Sequence, residues 1–211
     1  MRELLLLAAS GLAREAAEAA QTDYRVIGVL DDNPDLHGDR LAGVEILGGI
    51  HLASEHDAAL LVCIGAGSGR RAVVERLAAL GITDDRYGTL IDRSARVPES
   101  CQIGAGTIIL AGTVLTTDVS VGKHVVLMPN VTLTHDDVLG DFATVTSGVC
   151  LGGSVVLGEG CYVGMNASVR QGTQVGAGAT VGMGAAVLGD VPPGETWVGV
   201  PAKQRTREHS A

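Results

Sequence analysis

From Val97 to Val187 every sixth residue is Val, Leu or Ile without a missed beat, through Ile103, Leu115, Leu133, Leu151 and Val169 among others. Four residues after each comes a second marked position, compact or β-branched at Thr107, Val125, Ala143, Cys161 and Ala185, with Asp137 the single exception. Glycine often follows the aliphatic directly, as at Gly104, Gly122, Gly140 and Gly158. An amphipathic helix would repeat at three and four residues, so this period excludes one. A hexapeptide repeat predicts a left-handed parallel β-helix, here of about five triangular coils. The aliphatic points inward, the compact residue fills the space beside it, and glycine serves corners of positive φ or close approach.

Before the ladder the pattern changes. Glu3 to Ala8 predicts a buried strand, Leu12 to Ala20 a helix, and Tyr24 to Leu30 a second strand ended by the turn residues Asp31, Asp32, Asn33 and Pro34. Ala58 to Ile64 predicts a third strand, Arg70 to Leu80 an amphipathic helix stopped by Gly81, and Tyr87 to Ile91 a fourth strand. Strand–helix–strand alternation predicts a small Rossmann-like α/β domain with a parallel sheet. The expected organisation is an α/β domain over 1–92, a β-helix domain with a C-terminal cap over 93–203, and a polar tail over 204–211. The fold class is mainly β.

Composition sharpens this picture. Thirty glycines beside one Phe, one Trp and three Tyr suit stacked aliphatics better than a core of interlocking rings. A net charge of −9 argues against nucleic-acid binding, which needs a basic surface. The apolar start from Leu4 to Ala9 is too short for a signal core or a membrane span, and no later run is long enough, so a cytoplasmic protein without a membrane partner is expected. Cys63, Cys101, Cys150 and Cys161 occur singly, without metal-ligand spacing, and read as reduced structural thiols.

Two loops at the carboxyl ends of the predicted strands are placed to meet a ligand. Ala8-Ala9-Ser10-Gly11 offers backbone amides and a hydroxyl at a helix start. Ile64-Gly65-Ala66-Gly67-Ser68-Gly69 also leads into a helix, and neither loop satisfies the dinucleotide fingerprint. Asp31 and Asp32 suit either hydrogen bonds to a base or sugar, or an ordinary turn. Of the six histidines, His37, His51 and His56 read as solvated surface, His124 as polar cover on the ladder, and His209 as part of the tail. His135 differs, because Asp136 and Asp137 follow it and Asp137 breaks the compact-residue rule. A carboxylate beside an imidazole fixes its tautomer and supports general-base chemistry. Asp137 is equally consistent with a hydrogen bond to a nearby backbone amide.

The ladder, the segment Leu133-Thr134-His135-Asp136-Asp137-Val138-Leu139-Gly140-Asp141-Phe142 and the ending Val198-Gly199-Val200-Pro201-Ala202-Lys203 resemble the hexapeptide-repeat acyltransferases. With the Ser-Gly turn and the Leu-Asp-Asp strand end, the chain resembles the sialic acid O-acetyltransferase-type sugar acyltransferases, a group that includes bacterial UDP-4-amino-sugar N-acetyltransferases. The resemblance implies a homotrimer that uses acetyl-CoA and no metal, with a sugar-nucleotide acceptor touching the small domain of an adjacent subunit. It implies His135 as catalytic base, oriented by Asp136, with the Gly153 amide near the thioester. Met165, Gly182 and Met183 would border the pantetheine arm, Pro201 and Lys203 the nucleotide end of the coenzyme, and Thr144 a cofactor position where the family often carries histidine. Ser10, Gly11, Asp31, Asp32, Ile64, Gly65 and Ala66 would form the sugar-nucleotide region. Three departures stand out: Ala8 and Leu12 replace the first glycine and the histidine of the family's Gly-x-Ser-Gly-His turn, Thr144 replaces a histidine, and Asp137 stands where cysteine is common.

The expected reaction is acetylation of a sugar amine or hydroxyl, with a nucleotide-linked 4-amino-sugar and a sialic acid or polysaccharide sugar as competing acceptors. A metal-dependent hydratase needs three histidines, and the ladder offers His124 and His135. A sugar nucleotidyltransferase needs a much larger N-terminal domain. A non-catalytic scaffold remains the plain alternative.

Overall fold

The computed structural model describes residues 1–205. Leu4 to Leu7 are consecutive and apolar, so their strand needs cover on both faces. That strand, β1 (Arg2–Leu7), pairs in parallel with β2 (Tyr24–Leu30) and with β5 (Ala59–Val62), and its four leucines are fully buried. Helix α1 (Gly11–Ala19) packs through Leu12, Ala13 and Ala16 on one face of the sheet, and α2 (Gly67–Ala78) through Val73 and Leu77 on the other. Beyond β2 lie β4 (Val44–Gly48) and the antiparallel β3 (Arg40–Leu41), giving the order β3-β4-β2-β1-β5. The sequence reading missed this hairpin, whose turn rests on Ala42 and Gly43 at positive φ.

Two expectations for this domain need correction. The strand expected over Tyr87–Ile91 does not join the small sheet. Tyr87 makes a single bridge to Leu60, while β6 (Leu90–Ile91) pairs with Ile108 and Ile109 of the ladder. Helix α2 starts at Gly67, inside the glycine-rich loop, and its inner face carries the fully buried Arg70. A charged residue on the buried side is invisible to a reading by hydrophobic spacing alone.

The ladder forms fifteen two-residue strands, from β7 (Gln102–Ile103) to β21 (Ala186–Val187), stacked as the expected parallel β-helix of five triangular coils. Each residue pairs with one eighteen positions on, as Ser120 with Val138 and Val126 with Thr144. We number the faces from their first ladder strands: face 1 from β7, face 2 from β8 (Ile108–Ile109), which β6 extends, and face 3 from β9 (Val114–Leu115). β22 (Thr196–Val198) and β23 (Lys203–Gln204) cap face 2.

The corner chemistry divides between two positions. Left-handed backbone falls three residues after the aliphatic, at Gly106 and Gly148 but also at His124, Asn130, Asp136, Phe142 and Ser154. Glycines directly after the aliphatic keep ordinary φ and answer close approach instead: a Cβ on Gly104 would lie 2.5 Å from the Gly122 carbonyl carbon in the next coil.

The small domain docks on face 2. Ile108, Val126 and Thr144 point outward there in three successive coils and are buried beneath it, whereas Tyr162, one coil further, is 40% exposed. Leu4, Leu6 and Ala16 join Ile108 and Val126 in one apolar cluster. Gly67 approaches so closely that a Cβ there would collide with the Phe142 carbonyl oxygen.

Candidate active site

His135 lies on the edge between faces 3 and 1, in the corner that joins β12 (Thr132–Leu133) to β13 (Val138–Leu139). Asp136, at φ 61°, turns the backbone so that its Oδ2 meets His135 Nδ1 at 2.8 Å. The bond assigns Nδ1 to the carboxylate and leaves Nε2 for a reacting group. The next coil brings Gly153 under the ring, where any Cβ would collide with Nε2 and Cε1. Among the described residues the Gly153 N–H makes no hydrogen bond, while the neighbouring Ser154 N–H donates to the His135 carbonyl at 2.9 Å. His135, Gly153, Ser154, Gln171 and Gly172 line an open groove of about 360 Å³. An oriented imidazole beside a free amide is the equipment of general-base acyl transfer.

Asp137 points inward from the same corner and is fully buried. Its Oδ2 accepts from the Thr134 N–H and its Oδ1 from the Val155 N–H, both at 2.8 Å. Burial pushes its carboxyl up to about 6, against the pull of those two amides. Its observed partners are backbone amides.

The other predicted site residues fall on different edges of the prism. Met165 and Met183 stand one coil apart on the edge between faces 2 and 3, exposed, with Gly182 packed under Val198 of the cap. Pro201, which follows a cis peptide bond, and Lys203 are exposed in the cap region. Ile64, Gly65 and Ala66 sit at the edge between faces 1 and 2, where the Ile64 and Gly65 carbonyls accept from Arg70 at 2.8 and 2.9 Å. One chain therefore unites His135, Asp136 and Gly153, but holds the methionines and the small-domain loops on the two remaining edges.

Several predicted contacts are taken up internally. Ser10 Oγ donates to the Cys63 carbonyl at 2.6 Å and caps α1 by accepting from the Ala13 N–H at 3.1 Å. Gly11, the first residue of α1, is exposed beside it. Asp31 accepts from the Ala9 and Asn33 amides at 2.7 and 2.8 Å, which makes it the brace between the two strand ends. Asp32 accepts from Ile50 N–H and pairs with Arg76 at 2.7 Å; these partners outweigh burial and hold its carboxyl below the usual range. Thr144 is buried at the junction, with its hydroxyl donating to the Gly65 carbonyl at 2.9 Å, and faces no open groove.

Sequence reading missed the junction itself. Arg70 donates to the carbonyls of His124, Ile64, Gly65, Phe142 and Ala143 and to Thr144 Oγ1, over 2.7 to 3.1 Å. Burial lowers its pKa to about 10. His124 is not polar cover: it is 1% exposed, stacked on Phe142 at 5.2 Å and met edge-on by Tyr87 at 4.6 Å. Among the described residues neither of its ring nitrogens has a partner, and burial pushes its pKa down to about 4. The signal was present in the lone Phe of the chain, set at a left-handed corner eighteen residues after a histidine. A separate cavity of about 400 Å³ lies between α1 and the first coils, lined by Glu15, Glu18, Asp92, Arg93 and Pro129, remote from His135.

Comparison with known proteins bears on what this groove is for. The PglD N-terminal domain family matches residues 3–77. No curated protein sequence matches the chain. Among solved structures, the acetyltransferase domain of PglB from Neisseria gonorrhoeae, in complex with acetyl coenzyme A, is 32% identical, with 97% of this chain and 99% of that one covered and a TM-score of 0.89. A His-to-Asn variant of perosamine N-acetyltransferase from Caulobacter crescentus, in complex with CoA and GDP-perosamine, is 25% identical over 97% of both chains, with a TM-score of 0.89. WeeI from Acinetobacter baumannii, 24% identical over 97% of this chain and 100% of that one, shares the fold at a TM-score of 0.84. With its PglD-type N-terminal domain and hexapeptide β-helix, the chain belongs to the hexapeptide-repeat sugar acetyltransferase family, and it is an acyltransferase.

Proposed function

We propose that the protein transfers the acetyl group of acetyl-CoA to the amino group of a nucleotide-linked amino sugar, with His135 as general base. The observation that carries this reading is the His135–Asp136 bond of 2.8 Å, which leaves Nε2 over a glycine with a free amide. The complexes of the PglB domain with acetyl coenzyme A and of perosamine N-acetyltransferase with CoA and GDP-perosamine support the choice of donor and acceptor class.

In the proposed step the acceptor nitrogen forms a bond to the thioester carbonyl carbon while its proton passes to His135 Nε2. The C–S bond then breaks, and CoA leaves as the thiol with that proton. Asp136 stabilises the imidazolium, and the Gly153 N–H faces the developing oxyanion. General-base assistance of this kind contributes roughly 10² to 10⁴ in rate. The separation of His135, Met165 and the Ile64–Ala66 loop onto three edges supports a homotrimer, in which a neighbour's edges complete each site. Met165, Gly182, Met183, Pro201 and Lys203 then hold the coenzyme, and the loops at Ser10–Gly11, Asp31–Asp32 and Ile64–Ala66 hold the nucleotide. The setting is the cytoplasm.

The test is a panel of nucleotide-linked amino sugars and free sialic acids offered with acetyl-CoA, reading CoA release and product mass. Acetylation of an amino-sugar nucleotide that falls at least 100-fold in His135→Ala is the expected result. O-acetylation of a sialic acid alone would move the acceptor class, and an undiminished His135→Ala variant would remove the base.

A further inference from the structure

Each corner of the prism needs something to hold its turn against the coil above. In many corners the compact residue's N–H donates to the carbonyl three residues earlier, as Ala143 to Gly140, Cys161 to Gly158 and Ala185 to Gly182. Among the described residues the corners ending at Thr107, Val119, Val125 and Val131 lack that bond, and so do the corner at 134–137 and its counterpart in the next coil at 152–155. These last two are held by the Asp137 carboxylate. One oxygen takes the Thr134 N–H within the His135 corner, and the other takes the Val155 N–H at the far end of the corner that carries Gly153. Thr107 shows what half of this arrangement looks like: its hydroxyl accepts from the Val125 N–H, likewise eighteen residues on, at 3.1 Å and donates to the Gly122 carbonyl at 2.8 Å. A threonine therefore suffices to link two coils. At Thr107 the turn's first amide, the Gly104 N–H, donates instead to the Val121 carbonyl of the next coil at 2.8 Å.

We propose that Asp137 is a positioning residue for acyl transfer, its buried carboxylate clamping the His135 corner to the Gly153 corner so that imidazole and amide face the groove at fixed spacing. The inference rests on His135 being the base. It explains why a carboxylate occupies an interior position that is otherwise apolar or hydroxylic, since its two separated oxygens reach amides in two successive coils. Asp137 touches no open groove and takes no part in bond making. Its ionisable neighbours are His135 and Asp136, the first drawing its pKa down and the second raising it.

The discriminating variant is Asp137→Thr, which keeps an inter-coil link to Val155 of the kind seen at Thr107 and removes the bond to Thr134. The expected result is a trimer that melts within a few degrees of the wild type. Its kcat falls 10- to 100-fold, and KM for acetyl-CoA and for the acceptor stays within threefold. In the His135→Ala background the same change costs nothing further, because Asp137 acts through the imidazole. The His135 Cε1–H resonance, followed by NMR, shifts in Asp137→Thr while that of His124 does not. An unchanged kcat, or a loss that persists in the His135→Ala background, would overturn the proposal, as would an unmoved His135 resonance. A wild type that acetylates nothing while the His135 resonance still moves would instead overturn the acetyltransfer reading.

Discussion

Arg70 and Thr144 meet at the centre of the domain junction: Nη2 donates to the threonine hydroxyl at 3.1 Å, and that hydroxyl donates to the Gly65 carbonyl at 2.9 Å. The guanidinium binds five carbonyls besides, from both domains, and among the described residues it has no carboxylate partner. A buried cation satisfied by fixed carbonyls is a geometric device, since the planar fork fixes where each acceptor must stand. Arg70→Met leaves those acceptors unpaired and should destabilise the protein by about 3 kcal/mol or more. Urea denaturation of the variant checks this. A loss below 1 kcal/mol would mean that water replaces the guanidinium without difficulty.

Gly153 has no side chain because the His135 ring lies where a Cβ would be. Gly153→Ala must therefore push the imidazole off its seat while leaving the interior of the prism untouched. A displacement of this size at a reacting group costs on the order of 10² in rate. We expect kcat to fall about that far with a melting temperature close to the wild type. Steady-state kinetics beside a thermal melt separate the two, and a fully active Gly153→Ala would show that His135 works from another rotamer.

Legibility followed the physics of each element. The prism was readable because one rule, an inward aliphatic every sixth residue, is repeated without interruption from Val97 to Val187. The corner of His135 was readable as a breach, at Asp137, of the companion rule that a compact residue follows four positions after each aliphatic. The junction was not, because it obeys no period: Arg70 sits among helix formers, and His124 and Phe142 occupy corner positions where most corners carry a glycine or asparagine. Which backbone carbonyls converge on a guanidinium is decided by docking, and docking leaves no spacing in a single chain. The hairpin at Arg40–Gly48 escaped for a different reason, since its first strand is two residues long and its second interleaves exposed Glu45 and Leu47 with buried Ile46 and Gly48.

His124 and Asp137 give stability opposite responses to acid. The His124 imidazole has a folded pKa of about 4 against an ordinary 6.5, set first by burial and then by the nearby Arg70 charge. Between those values the unfolded chain takes up a proton that the folded one refuses, so its contribution is complete above pH 6.5 and is lost as the pH falls to 4. Asp137, raised to about 6, binds its proton sooner in the folded state and gains stability on acidification over the range from 6 to 3.8. Replacing His124 with phenylalanine, which keeps the ring between Phe142 and Tyr87, removes only the first effect. The stability difference between His124→Phe and the wild type should grow by about 3 kcal/mol from pH 7 to pH 4 and level off below. Denaturation curves at half-unit steps read it directly, and a pH-independent difference would place a bound water or proton at that imidazole.

Ala8 adopts φ 82° at the end of β1, where the family's turn carries glycine. The conformation is forced by what surrounds it: the Ala8 N–H donates to the Leu30 carbonyl at 2.8 Å, and its own carbonyl accepts from Ser10 N–H at 3.1 Å. An L-residue with a Cβ is strained there by roughly 1 to 2 kcal/mol. Glycine relieves that strain but enlarges the conformational freedom of the unfolded chain, which returns roughly 0.4 to 1 kcal/mol. The balance favours Ala8→Gly by up to about 1.6 kcal/mol, at some 2 to 4 °C in Tm per kcal/mol for a chain of this length. Differential scanning calorimetry checks it. A lower Tm would mean that the Ala8 methyl packs well enough to outweigh its backbone strain.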